Sequence, residues 1–267
     1  MFCIAYFGGN MHINISYDFL SPTDNSAYYN YNDYCVIVID VLRASTTINV
    51  LLELHEKIHI TEVENIDNEM YKDKFIKFGE KNGKKIESCD YGNSPLEVRL
   101  NKDNILNQLN NNDNTNNKEI LLATTNGTRV LKSIISDNIF IGSITNAKYV
   151  ADYVFNVANE QNKNIIIIPS HRKGMFAIED YIGAGLIAKY ILKNANKYDI
   201  TIDIENLIPA INLVKSDWKT KIINSASAKN LKNLGYEGDI IFCSSENTQK
   251  IVGMYKDGKI VNIKKIK

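Results

Sequence analysis

"YCVIVIDVLRASTTINVLLELHEK", residues 34–57, changes character at Asp40. Up to Ile39 the run is continuously apolar and rich in β-branched residues. That pattern predicts a strand buried on both faces. "ASTTINVLLELHEK", residues 44–57, then has helical spacing, with Ser45 or Thr46 available as N-cap. A buried strand followed at once by a helix is the building unit of an α/β fold. The same alternation continues outward. "HINISYDF" after Met11, "KIHITEV" and "FIKFGE" read as strands, the last two separated by a short helix. Further on the pattern predicts strand 119–123, helix 126–136, strand 138–143, helix 145–160, strand 163–168 and helix 177–193. The last third predicts a helix near 226–234, a strand at 239–243 and a hairpin turning at Asp257-Gly258. Residues 80–95 read as a long polar loop, and the asparagine-rich residues 101–118 as a solvated one. Residues 1–10 read as an extension ahead of Met11.

Bulk composition narrows the function. The 267 residues are 44% hydrophobic and 23% charged, with a formal net charge of zero. Without a basic field, neither nucleic acid nor an anionic membrane is an expected partner. The N-terminal residues have no basic region and no long apolar run, so no leader or membrane anchor is expected. Cys3, Cys35, Cys89 and Cys243 lie far apart and form no C-x-x-C pair. Reduced thiols and a cytoplasmic location are the expectation.

Three strand ends concentrate polar groups: "IDVLRASTT" (39–47), "ATTNGTR" (123–129) and "IIPSHRKGMFAIED" (167–180). Each carries one arginine, and the chain has only four: Arg43, Arg99, Arg129 and Arg172. A planar fork that grips two oxygens suits phosphate, carboxylate or sulfonate, and lysine does not replace it there. The plainer reading is a helix cap or a carboxylate pair, with Arg43 bonding Asp40. Helix N-termini at Ser45, Thr46 and Thr47 and at Thr124 to Thr128 add N–H and hydroxyl donors, and Gly127 permits close approach of a ligand. Candidate carboxylates are Asp40, Glu80, Asp90, Glu179 and Asp180. Asp40 ends a buried strand and needs a partner: a metal, an arginine or backbone N–H groups. Glu179 and Asp180 are adjacent, so at most one is expected to face the site. His171, beside Arg172, is a candidate general acid. His12, His55 and His59 show no ligand spacing beyond His55/His59, and those two read as surface residues.

"VIVIDVLRASTTI", "GEKNGKKIESCDYGNSPLEV", "LLATTNGTRVL", "GSITNAKYVA", "RKGMFAIEDYIGAGLI" and "LGYEGDIIFC" occur in this order across roughly residues 11–255. Together they resemble the 2-phosphosulfolactate phosphatases. The combination D-V-L-R-A-S-T, G-N-S-P and T-T-N-G-T is specific. The resemblance implies a single three-layer α/β/α domain with a largely parallel or mixed sheet. It also implies a magnesium-dependent phosphatase acting on a 2-hydroxy acid phosphate, typically (2R)-2-phospho-3-sulfolactate. In methanogens that step belongs to coenzyme M biosynthesis. The matched positions are Asp40, Arg43, Ser45 to Thr47, Gly79, Glu80, Gly92 to Pro95, Thr124 to Arg129, Glu179 and Asp180.

From these residues we expect Asp40, Arg43, Asn126 and Arg129 to be catalytic. Ser45, Thr46, Thr47, Asn93, Ser94, Thr124, Thr125, Gly127, Thr128 and Arg172 are expected to bind substrate. Magnesium is assigned to Asp40 with one of Glu80, Asp90, Glu179 or Asp180, because it keeps waters and needs few carboxylates. The expected nucleophile is water, since Leu42 stands where aspartyl-phosphate hydrolases carry a second aspartate. An Asp40 phosphoenzyme and a non-catalytic anion binder are the alternatives. The expected partner is a small anionic substrate, and a homo-oligomer is left open.

Overall fold

The computed structural model describes residues 11–16, 29–110, 117–124, 127–172, 175–203 and 205–263. The first half holds β1 (Met11–Ile15), β2 (Tyr29–Asn30), β3 (Tyr34–Ile39), α1 (Ala44–Leu54) and β4 (Lys57–Thr61). These lead to β5 (Phe75–Lys81), β6 (Lys84–Lys85), α2 (Pro95–Leu100), α3 (Lys102–Leu109), β7 (Glu119–Ala123) and α4 (Gly127–Ser133). Next come β8 (Ile134–Ile135), β9 (Ile139–Gly142), α5 (Ala147–Gln161), β10 (Asn164–Pro169), α6 (Ile178–Tyr198) and β11 (Ile202–Asp203). The chain then runs through α7 (Ile208–Val214), α8 (Trp218–Ile223), α9 (Ala226–Asn233), α10 (Glu237–Cys243), β12 (Gly253–Lys256) and β13 (Lys259–Asn262).

Eleven of the strands form one sheet, in the order β11-β1-β10-β3-β9-β12-β13-β4-β7-β5-β6. The side chains of β3 show why it is layered. Cys35, Ile37 and Ile39 join a core with α5 and α6, while Val36 and Val38 join a second core with α1. Successive strand residues point to opposite faces, so helices cover both faces and the architecture is α/β/α. The expected mixed sheet has a particular form. β11, β1, β10, β3 and β9 are mutually parallel, and so are β4, β7 and β5. The β12–β13 hairpin enters between them with antiparallel pairings throughout. The two parallel groups therefore run in opposite directions. Twist of about 20–25° per strand accumulates over the steps from β3 to β5. Asp40, just past the end of β3, and Glu80, near the end of β5, line one cavity, so the carboxyl ends of the two groups meet there.

Several elements depart from the sequence expectation. The run at 239–243 is helix α10, not a strand. Ile240 and Cys243 are buried whereas Ile241 is 69% exposed, a helical period that a short apolar run does not reveal on its own. Residues 80–95 contain a two-residue hairpin: Asn82 and Gly83 have φ of 56° and 86° and join β5 to β6. Asn-Gly is the usual sequence of that turn. Part of the asparagine-rich stretch is α3, held by the burial of Ile105 and Leu109. Residues 111–116 lie outside the described ones. Helix 126–136 is shorter, since Ile134 and Ile135 pair with β2. The short helix expected between β4 and β5 is two 3-10 turns, Val63–Asn65 and Glu69–Tyr71. The hairpin at Asp257-Gly258 is present, with φ of 50° and 75°. Cys35, Cys89 and Cys243 are buried free thiols. No helix among the described residues is long and apolar enough to cross a membrane.

Close packing of α6 on α7 gives a stability prediction. A Cβ on Gly185 would lie 2.5 Å from the Ala210 carbonyl oxygen. Alanine favours a helix over glycine by about 1 kcal/mol, but backbone cannot move aside cheaply. Gly185→Ala is expected to lower unfolding free energy by about 1–3 kcal/mol, read as a lower urea midpoint. An unchanged midpoint would contradict the packing.

Candidate active site

The turn after β3 is built around Asp40. Its Oδ1 accepts the Ala44 N–H, the first of α1, at 3.2 Å. The Asp40 N–H donates to Ser45 Oγ at 2.9 Å, and the Asp40 carbonyl accepts the Ser45 N–H. The aspartate, and not Ser45 or Thr46 as expected, thus takes the free N–H at the helix start. The hydroxyls of this helix face protein. Thr46 Oγ1 bonds Ser143 Oγ at 2.7 Å, and Thr47 Oγ1 donates to the Arg43 carbonyl at 3.2 Å. Ser45, Thr46 and Thr47 therefore shape the turn and do not line the cavity beside it.

That cavity is where the strand ends meet. Asp40, Glu80, Asn93, Glu179 and Asp180 line it, with Arg43, His171, Arg172 and the Asn82-Gly83 hairpin tip. Residues of α9 close the far side. Gly127 brings the turn after β7 against it: a Cβ there would lie 3.8 Å from Asp40 Oδ2. Thr124 and Thr128 are buried and share a hydroxyl contact of 3.3 Å. Thr125 and Asn126 lie outside the described residues.

Crowded carboxylates dominate the electrostatics. Burial raises Asp40 to about 7, helped by the charges of Glu80 and Glu179 and opposed by the Ala44 N–H and Arg43. Asp180 is pushed well above the usual carboxylate range by burial, then by Asp40 and Glu179. The two adjacent carboxylates on α6 have different surroundings. Asp180 Oδ1 accepts the Val41 N–H at 2.8 Å and its Oδ2 the His171 N–H at 3.0 Å, tying together the turns after β3 and β10. Glu179, only 3% exposed, has no hydrogen-bond or ion-pair partner among the described residues. Asn93 Oδ1 is likewise buried without a partner. His171 Nδ1 accepts the Ala177 N–H at 3.1 Å, and burial lowers its pKa to about 4. An Nδ1 that accepts a backbone N–H leaves the proton of a neutral ring on Nε2, the form that burial favours here.

Other expected residues are placed differently. Arg43 does not pair with Asp40. Its Nη1–H donates to Asp239 Oδ2 at 2.7 Å and its Nη2–H to the Gly83 carbonyl at 2.9 Å. Ser94 caps α2 by accepting the Glu97 N–H and donates to Asp239 Oδ1, so its hydroxyl is committed to protein. Asp90 is exposed, accepts the Lys77 N–H and lies outside the cavity. Arg129 lines a separate shallow depression with Glu62, Glu64, Lys81 and Thr124. Asp239 went unrecognised, although it stands in the motif "LGYEGDIIFC". Reading that stretch as a strand hid its place at the start of a helix.

The oxygen donors suit a hard cation. Among the described residues no three His, Cys, Asp or Glu side chains form a closed metal site, but magnesium needs only one or two carboxylates and retains waters. The unpartnered Glu179 carboxylate, the unpartnered Asn93 Oδ1 and the crowded Asp40 and Glu80 fit such an ion.

The family model described as 2-phosphosulpholactate phosphatase matches residues 19–258. A 2-phosphosulfolactate phosphatase of Methanocaldococcus jannaschii is 45% identical over 223 residues, covering 84% of this chain and 89% of that one. A probable 2-phosphosulfolactate phosphatase of Carboxydothermus hydrogenoformans is 33% identical, covering 87% and 91% of the two chains. One from Clostridium novyi is 34% identical, covering 84% and 90%. With strand ends that gather carboxylates and arginines at one cavity, and with matches of this extent, the chain belongs to the 2-phosphosulfolactate phosphatase family and is a phosphatase.

Proposed function

We propose that the enzyme hydrolyses (2R)-2-phospho-3-sulfolactate to (2R)-3-sulfolactate and phosphate with the help of magnesium, and that it accepts related 2-hydroxy acid phosphates. The observation that carries this reading is the cavity in which Glu179 and Asn93, the latter with a buried Oδ1 that has no partner, share the lining with Asp40, Arg43 and Arg172. Asp40 and Glu179, with Glu80 and Asn93 Oδ1 beside them, would hold the magnesium ion. Bound there, it supplies charge neutralisation for the phosphoryl oxygens.

The chain's own residues supply the remainder. Arg43 and Arg172 grip the phosphate or carboxylate oxygens of the substrate. The His171 ring stays in place at the cavity wall because the Ala177 N–H holds its Nδ1. Asp180 orients both flanking turns through its two backbone N–H contacts. Water attacks phosphorus, the ester P–O bond breaks, and a proton given up by that water ends on the departing alkoxide, leaving the hydroxy acid and phosphate. In-line displacement of this kind depends mainly on positioning and charge stabilisation.

The test is phosphate release from a panel that includes 2-phospho-3-sulfolactate and 2-phospholactate, with magnesium and with EDTA. Release that is fastest on the sulfonated substrate and is lost in EDTA is the expected result. No release at saturating magnesium, or release indifferent to EDTA, would overturn the proposal.

A further inference from the structure

Arg43 is held on three sides. Its ion pair with Asp239 is closed to solvent, the two side chains being 3% and 1% exposed. The Gly83 carbonyl at the hairpin tip takes a second N–H, and the guanidinium carbon lies 4.3 Å from the centre of the Tyr236 ring. Asp239 is itself pinned. Its other oxygen accepts the Ser94 hydroxyl at 2.8 Å and the Leu96 N–H at 3.2 Å. One carboxylate therefore joins the starts of α1, α2 and α10.

Such a pair is poor value as a stabiliser. Taking both charges out of water costs as much as their attraction returns, and an apolar pair of similar size serves stability as well or better. What it does supply is a fixed plane. A guanidinium has five N–H donors. Nη1 and Nη2 each give one to protein, and the side chain still lines the cavity.

We infer that Asp239 is the positioning residue for Arg43: with the Gly83 carbonyl and the Tyr236 ring, it fixes the guanidinium so that the remaining N–H donors address the phosphate ester. The inference rests on the reading of Arg43 as an anion contact.

A kinetic double-mutant cycle tests it. Asp239→Asn keeps an oxygen for Ser94 and Leu96 but withdraws the acceptor from Arg43. It is expected to lower kcat/KM about 100-fold, the usual cost of misplacing a catalytic group by an ångström. Arg43→Gln, which retains a donor for Asp239, is expected to lower it at least as far. If Asp239 acts through Arg43, adding Asp239→Asn to Arg43→Gln changes kcat/KM by no more than about twofold. Effects that multiply, or an Asp239→Asn variant that melts lower with unchanged kcat/KM, overturn the inference. Should Asp239→Asn not fold, Tyr236→Leu removes the stacking face from a half-buried position, and its effect must vanish in the same Arg43→Gln background. If Arg43→Gln alone leaves kcat/KM and inhibition by inorganic phosphate unchanged, the anion-contact reading fails and this inference fails with it. Multiplying effects on top of a damaging Arg43→Gln remove only the role of Asp239.

Discussion

Asp40→Asn is expected to lose on the order of 10³-fold in kcat and yet to melt higher than the native protein at pH 8 in the absence of magnesium. Both results follow from the same crowding. Asp40 has its pKa raised from 3.8 to about 7, chiefly by burial and then by the charges of Glu80 and Glu179. A carboxyl with a raised folded-state pKa binds more protons folded than unfolded between those two values. Stability therefore falls as pH rises through that window, and the penalty is complete above about 7. Each unit corresponds to about 1.4 kcal/mol, so the penalty amounts to a few kcal/mol. The neutral amide escapes it. The gain in Tm should be near zero at pH 4 and largest at pH 8, at about 2–4 °C per kcal/mol for a chain of this size. Magnesium should raise the Tm of the native protein more at pH 8 than at pH 5, and should raise that of Asp40→Asn less. A variant that melts lower at pH 8, or native protein whose magnesium shift does not depend on pH, would contradict the crowded-carboxylate account. Stability given up where the chemistry requires charge is a common trade at active sites.

Arg43→Ala is expected to cost about 3–5 kcal/mol of unfolding free energy, the usual price of breaking one side of a buried pair. The alanine leaves Asp239 sealed in protein without its cation. It also empties the space beside Tyr236 and removes the donor from the Gly83 carbonyl. Guanidinium chloride unfolding should show the loss as a lower midpoint with an unchanged slope. Arg43→Gln, which can still donate one hydrogen bond to Asp239, should lose clearly less. Equal losses in the two variants would mean that the Asp239 contact contributes little and that packing alone accounts for the change.

The strand and helix that meet at Asp40 were legible because both depend on neighbours in sequence. A continuous apolar run, a helical spacing and Asp-Gly at a turn each express a local backbone preference, and β3, α1 and the β12–β13 hairpin lie where those preferences put them. The candidate site was legible as a set of residue types: Asp40, Arg43, Glu80, Asn93, Arg172, Glu179 and Asp180 do line one cavity. The hydroxyls of Ser45, Thr46, Thr47 and Ser94 were read as ligand contacts because a helix N-terminus offers donors to whatever lies nearby. In the folded chain those hydroxyls bond protein groups, and none of the four residues lines the cavity.

By itself, then, the sequence determined the strand–helix alternation around Asp40, the α/β class and the family whose motifs the chain carries. Only the tertiary structure decided which side chain answers which. Arg43 bonds a residue 196 positions away instead of the aspartate three positions before it. Two adjacent carboxylates both line the cavity, where at most one was expected, but Asp180 is bonded to backbone N–H groups and Glu179 is not. Two groups of strands running in opposite directions place Asp40 and Glu80, at the ends of β3 and β5, on one cavity. The reason is physical. Backbone preferences act over a few residues, whereas the partner of a buried charge depends on which surfaces leave water together, and that is a property of the whole packed chain.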